Sequence, residues 1–341
     1  MTRPSDTAYI YASTKVKSAD GAGTEASRLK ALLDCTTVRD VYDAVVDSAI
    51  CPAAEKRTVS GDSDAVLAAS EVLESALDYA ADLVREAVPE PELYSFLFYK
   101  YDCNNIKAAI KSHLCGVSAD GAMFTCANIS PELAAECVKS RNTASLPYHM
   151  AKATLEAIDT FERTGEARSI DFILDRASFA DMAADAAKSG VTMFSEYVSA
   201  LADTTNIRSA VRISDSSIAP AAAEALMARV FVPGGSVAED VFRSENGGVA
   251  ALEEIYGNFP LIPLKAELAA SLENKALTDA ILDRFVQHSA GELAATAFGP
   301  EAPAQFFIAR EREIRRYRKA LSLLSMGSVK KETIKERLGI L

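Results

Sequence analysis

Tyr101-Asp102-Cys103-Asn104-Asn105-Ile106-Lys107 is the stretch on which the reading of this chain turns. A related stretch, Asp203-Thr204-Thr205-Asn206-Ile207-Arg208, follows it, and Glu311-Arg312-Glu313-Ile314-Arg315 follows that. Each ends in a polar-apolar-basic triplet. The triplets Asn105-Ile106-Lys107, Asn206-Ile207-Arg208 and Glu313-Ile314-Arg315 are spaced by 101 and 107 residues. Asp102 aligns with Asp203, and Arg310 stands at that position in the third copy. A second signature lies 32 or 33 residues before each triplet: Val72-Leu73-Glu74-Ser75, then Ile173-Leu174-Asp175-Arg176, then Ile281-Leu282-Asp283-Arg284. Self-similarity at a near-constant period marks a chain built from repeated units. Three helical repeat domains follow as the expectation, at 1–128, 129–235 and 236–341.

The pattern between the signatures is helical. Val38, Val41, Tyr42, Val45 and Ala49 fall on one face of a segment over 37–49. A long helix is expected over 64–87, with Ser63 or Asp64 as its cap, and Pro89 and Pro91 end it. Residues 91–114 carry an apolar stripe of Leu93, Phe96, Leu97, Cys103, Ile106, Ile110 and Leu114 and read as one helix. Segments 147–162, 170–188, 192–213, 220–228, 265–289 and 304–325 read the same way, with a short final helix over 330–338. Residues 9–16 read only as a short mixed segment. Ser130-Pro131-Glu132 is a helix start, and Gly190 closes a helix by offering a left-handed position. Asn258-Phe259-Pro260-Leu261-Ile262-Pro263 reads as rigid and non-helical. Few runs alternate with period two, so the fold class is all-α.

Composition narrows the function. The net charge is −12 over 341 residues, which disfavours a whole-surface nucleic-acid binder. The charge is uneven: residues 306–341 carry ten Lys or Arg against four Glu, leaving −18 on the remainder. That basic end reads as a solvated helical face or as a docking surface for an acidic partner. Phe307, Ile314, Tyr317, Leu321 and Leu324 form a seam beneath it, and Arg312, Arg315, Arg316, Arg318 and Lys319 cover the other faces. The six cysteines form no CxxC pair and no histidine stands at metal-ligand spacing from them, so no metal and no cofactor is expected. No apolar leader follows Met1, and no stretch is long and apolar enough to span a bilayer, which predicts a cytoplasmic chain of reduced thiols. Gly234-Gly235-Ser236 is the nearest thing to a phosphate-cradling loop, and it lacks the Lys-Ser or Lys-Thr of a P-loop.

No catalytic constellation competes with the repeats, because three separated copies do not gather a base, a nucleophile and a positive clamp in one pocket. Ile106, Ile207 and Ile314 are expected in the core. The residues on either side flank that face: an Asn there can bond a neighbouring helix, and a Lys or Arg can lay its stem on apolar surface. Asp102 and Lys107 are five apart, a poor spacing within one helix, so each is expected to pair between helices. Asp102, Asn105, Lys107, Asp203, Asn206, Arg208, Glu313, Arg315, Arg316 and Lys319 are the structural or interface candidates, and none is expected to be catalytic.

These residues also carry a family resemblance. The opening Tyr9-Ile10-Tyr11-Ala12 with Lys15 and Lys17, the run Phe98 to Lys107, and the ending Ala309 to Arg315 with Gly327 resemble the C subunits of V/A-type ATP synthases and the related d subunits of vacuolar ATPases. The resemblance implies a funnel of three similar helical domains with approximate threefold pseudo-symmetry. It implies a non-catalytic central-stalk adaptor that couples the membrane proteolipid rotor ring to the central shaft, as a monomer within the complex. Such an adaptor binds no nucleic acid. It sits in the cytoplasm, peripheral to the inner face of the plasma membrane through protein contacts. A helical scaffold unrelated to rotary ATPases is the alternative. The segments 116–128 and 234–248 match nothing in that family pattern.

Overall fold

The computed structural model describes residues 3–19, 25–119, 121–216, 218–244, 247–258, 275–291, 298–327, 333–335 and 338. Within them the regular structure is helical throughout. The chain forms two compact units, one of residues 1–3 and 92–263, the other of residues 4–91 and 264–341. Asn258, expected to open a rigid non-helical stretch over 258–263, is helical as the last residue of Gly247–Asn258, because the helix begun before it runs through it. The rest of that stretch, the first part of the expected helix over 265–289 and most of the final helix over 330–338 lie outside the described residues.

The unit of residues 92–263 holds α5 (Tyr99–Cys115), α6 (Pro131–Ser140), α7 (Tyr148–Thr164), α8 (Ala167–Lys188), α9 (Thr192–Ser214), α10 (Pro220–Val230), α11 (Glu239–Arg243) and α12 (Gly247–Asn258). α5 lies along α6 and α8, α7 pairs with α8, and α9 lies against α8, α10 and α12. The helix expected over 91–114 is two elements. A 3-10 segment, Pro91–Leu97, precedes α5. Tyr94, Phe96, Leu97 and Phe98 are all buried, and three residues per turn set Tyr94 and Leu97 on the same face. Phe194 of α9 receives Tyr94 and Phe96 at ring-centroid distances of 5.5 and 4.9 Å. α7 starts after Pro147, whose side chain cannot cap. Asp181 of α8 supplies the missing acceptor, taking the N–H groups of His149 and Met150 at 2.9 Å each. α6 starts as the sequence predicts, with Ser130 Oγ accepting from Leu133 N at 3.2 Å.

The unit of residues 4–91 and 264–341 holds α1 (Ile10–Ala19), α2 (Glu25–Asp34), α3 (Val38–Asp47), α4 (Asp62–Ala87), α13 (Lys275–Ser289) and α14 (Glu301–Ser325). Residues 9–16 are helical, contrary to the mixed reading: Tyr9, Ala12, Ser13 and Val16 are buried against this unit, so tertiary packing overrides a weak local pattern. α14 packs against α4, α3 and α1, and α3 packs along α4. Ala65, Ala68, Ala69, Ala76, Ala80 and Ala81 line the buried face of α4 and allow close helix approach. α4 begins at Asp62 after Gly61, slightly earlier than expected, and Asp64 turns back to accept from Ser60 N at 2.8 Å. α3 has a complete capping box of Thr37 and Asp40.

The packing does not follow the repeat as it runs in the sequence. α5 follows the first signature and lies along α8, which carries the second one, Ile173 to Arg176. α14 follows the third signature and lies along α4, which carries the first, Val72 to Ser75. Leu73, Leu174 and Leu282 of the three signatures are all buried. Asp175 faces α5 and pairs with Lys107. Phe307 of α14 is fully buried. Phe307→Ala is expected to destabilise its unit by about 3–5 kcal/mol, read as a lower thermal midpoint by circular dichroism.

Candidate functional site

Ile106, Ile207 and Ile314 are fully buried, as their spacing predicts. The polar residues beside them are buried just as deeply. Asp102, Asn105, Asp203 and Asn206 have no exposed surface at all. The charged or amide group of each therefore needs partners inside the protein.

In α5 those partners are one loop. Asp102 Oδ1 accepts from Ile129 N at 2.7 Å, and Oδ2 accepts from Asn128 Nδ2 at 2.8 Å. Asn105 Oδ1 accepts from Phe124 N at 2.7 Å. Its Nδ2 donates to Phe124 O at 2.8 Å and to Ile129 O at 3.1 Å. The amide thus engages both the N–H and the C=O of Phe124, as a neighbouring strand would.

α9 repeats the arrangement. Asp203 Oδ1 accepts from Val237 N at 3.1 Å, and Oδ2 accepts from Ser236 N and Oγ at 2.9 and 2.7 Å. Asn206 Oδ1 accepts from Val232 N, and its Nδ2 donates to Val232 O, both at 2.9 Å. The correspondence is residue by residue: Phe124 with Val232, Asn128 with Ser236, Ile129 with Val237. Each captured loop ends where a helix begins, α6 after Ser130 and α11 after Ala238. An i, i+3 spacing places both side chains on one helix face, so Asp-x-x-Asn is a two-point clamp for a loop. The expected helix-to-helix bond of the Asn residues is replaced by this bond to loop backbone.

The clamp also accounts for the glycine pair. A Cβ on Gly235 would stand 2.1 Å from Asp203 Oδ1, so only glycine lets the loop come this close. Gly234 has φ 96°, in the region that favours glycine. This loop does cradle an anion, and the anion is the carboxylate of Asp203.

The third copy uses ions. Glu313 stands at the Asn position and Arg310 at the Asp position of α14. Arg310 Nη1 donates to Glu313 Oε2 at 2.9 Å, and Arg28 Nε of α2 donates to Glu313 Oε1. All three side chains are buried. Beside them Glu25 accepts from Arg312 Nη2 at 3.0 and 2.8 Å and from Arg316 Nη1 at 2.5 Å. Burial alone would raise the Glu25 carboxyl, but the charges of Arg312 and Arg316 outweigh it and hold the group below its ordinary value.

The remaining candidates divide by exposure. Lys107 Nζ lies 2.5 Å from Asp175 of α8, and the next turn repeats the pairing with Lys111 and Asp171 at 2.6 Å. The expectation that Lys107 pairs between helices therefore agrees with the packing. Arg208 is half-buried on α9, Arg316 is held by Glu25, and Arg315 and Lys319 are exposed on α14. Sequence reasoning misses the loop partners Phe124, Asn128, Ile129, Val232 and Ser236, and the α2 partners Glu25 and Arg28. The available signal is position: both captured loops lie in or beside the two segments that match no family pattern.

Among the described residues no group of three or more His, Cys, Asp or Glu is placed to hold a metal ion, and no helix is long and apolar enough to cross a membrane. Of the six cysteines, all carry free thiols and five are buried.

Asp203→Asn turns its NH2 toward one of the two donors Ser236 N and Val237 N, and Gly235→Ala drives a methyl into the carboxylate. Each is expected to cost about 1–3 kcal/mol, seen as a lower urea midpoint, with Asn206→Asp behaving alike. For Glu25 the folded-state pKa is depressed, so its contribution is present above the ordinary Glu value of about 4.3 and is lost as pH falls through the folded value. The wild type is expected to lose more stability than Glu25→Gln when the pH is taken from neutral to below about 4 in acid titration of the thermal midpoint.

Residues 26–336 match the family described as ATP synthase (C/AC39) subunit. No curated protein matches the chain. The family match covers all three signatures and both clamps. The chain belongs to the ATP synthase (C/AC39) subunit family, as a non-catalytic subunit of a V/A-type ATPase.

Proposed function

We propose that the chain is the central-stalk adaptor of its ATPase, placed between the membrane proteolipid rotor ring and the central shaft. The observation that carries this reading is the family match across residues 26–336. The clamps support it. A part that passes torque must resist hinge motion between its helices and loops, and buried two-point polar bonds do that better than apolar contact alone, because they fix register as well as distance.

The three domains at 1–128, 129–235 and 236–341 enter as copies of one unit around an approximate threefold axis, in a funnel. The matched clamps of α5 and α9 support the likeness of the first two. The packing of α5 on α8 and of α14 on α4 supports a scheme in which the first copy lies on the second and the third on the first. The adaptor lies in the cytoplasm against the inner face of the plasma membrane, held there by protein contacts.

On α14 the exposed Arg315 and Lys319 serve as docking charges for an acidic surface of the ring or shaft. Arg208 and Lys107 face their own unit more than a partner. Tagged protein purified from its native cell is expected to bring down the ring and shaft proteins. Recovery of neither would overturn the proposal. Lys319→Ala is expected to weaken that recovery several-fold, in the range of about 1 kcal/mol for a rim charge, with an unchanged thermal midpoint.

A further inference from the structure

Arg312, Arg316 and Lys319 stand on one face of α14, at steps of four and three residues. Lys319 is exposed, and Glu25 of α2 lies over the two arginines. Both Glu25 oxygens accept from Arg312 Nη2, at 3.0 and 2.8 Å, and Oε1 also accepts from Arg316 Nη1 at 2.5 Å. Two guanidinium groups converging on one carboxylate form a receptor for an acidic side chain. In the free chain that receptor is filled from within.

Three observations mark the filling group as exchangeable. The Glu25 side chain is 38% exposed, against 11% for Arg312 and 16% for Arg316, so the carboxylate covers the pair from the solvent side. Glu25 opens α2, and of the ten residues of that helix only Arg28 and Leu32 are buried. A cleft of about 470 Å³ lies along α2, with Ser27 and Ala31 on one wall and Asp43 and Ala44 of α3 on the other. One turn after Glu25, buried Arg28 is tied to buried Glu313 of α14. The first turn of α2 is therefore held by charge more than by apolar packing, and Arg28 behind it is an anchored pivot.

We propose that Glu25 is an internal stand-in for an acidic side chain of a partner protein, and that the partner's carboxylate displaces it from Arg312 and Arg316 on docking. The incoming carboxylate is guided along α14 by Lys319, the charge next in line on the same face. The first turn of α2 then lifts about the Arg28–Glu313 pair, which stays closed. One carboxylate replaces another, so both guanidinium groups remain paired throughout. The contact is autoinhibitory: a surface too weakly acidic to displace Glu25 is refused, which sharpens the choice of partner. The inference rests on α14 being the docking helix of the adaptor, and it names the chemical group which that helix receives.

Isothermal titration of the isolated full chain with end-blocked hexaglutamate tests this, with end-blocked hexaglutamine as the neutral control. It needs no other component of the ATPase, so its failure is distinct from a failure to recover the ring and shaft proteins. Glu25→Gln removes the internal carboxylate and is expected to bind hexaglutamate at least about fivefold more tightly than the wild type does. Adding Arg316→Gln to that variant is expected to cancel the gain, and hexaglutamine is expected to bind neither. A second measurement uses the wild type alone. Saturating hexaglutamate is expected to shift the NMR signal of the Arg316 Nε–H group and to leave that of Arg28 in place. The proposal is overturned if Glu25→Gln binds hexaglutamate no more tightly than the wild type, if the gain survives Arg316→Gln, if hexaglutamine gains equally, or if the Arg316 signal does not move.

Discussion

A loop laid against a helix buries backbone N–H groups, and each must find an acceptor or the loop leaves the helix. This chain meets the requirement with an aspartate and an asparagine one helical turn apart. Asp102 and Asn105 hold residues 124–129, and Asp203 and Asn206 hold residues 232–237. The carboxylate takes only donors and so is matched to clustered N–H groups. The amide takes one of each and so is matched to a single peptide. The pair fixes where the next helix starts, and the position of α6 on α5 and of α11 near α9 follows from it.

The third copy keeps the geometry and changes the chemistry. Glu313 occupies the amide's place, and it binds two guanidinium groups, one from its own helix and one from α2. A buried ion triad is strongly weakened by losing one member, because the charges left behind are uncompensated. It is also the joint that brings the start of the chain to its end, since Arg28 and Glu313 are 285 residues apart. Two copies close by hydrogen bonds to nearby loops. The third closes over nearly the whole chain, through charged side chains in place of loop backbone.

Much of this is legible in the sequence. The helical class comes from apolar periodicity. The core isoleucines and the loop character of 116–128 come from the triplets and from glycine and polar clustering. The cap at Ser130 comes from Ser-Pro-Glu. The hidden parts have physical reasons. The 3-10 winding at Pro91–Leu97 is hidden because its buried residues run on into the apolar pattern of α5, which does not report a change of winding. α1 is helical because the rest of its unit covers it, not because of its own pattern. The triplets place Asn105 and Asn206 beside the core, but their partners are backbone groups of Phe124 and Val232, and backbone groups leave no mark in the residue code. Gly235 does leave one. A glycine pair before a serine resembles a phosphate loop, and the anion it accommodates is supplied from within the chain.

The central claim is that the two Asp-x-x-Asn clamps hold their loops as firmly as helix holds helix. Amide hydrogen exchange followed by NMR measures this directly at Phe124, Ile129, Val232 and Val237. The account predicts that these four loop amides exchange as slowly as the core amides of α5 and α9. Exchange at the rate of the exposed loop residues, with α5 and α9 still protected, would contradict it.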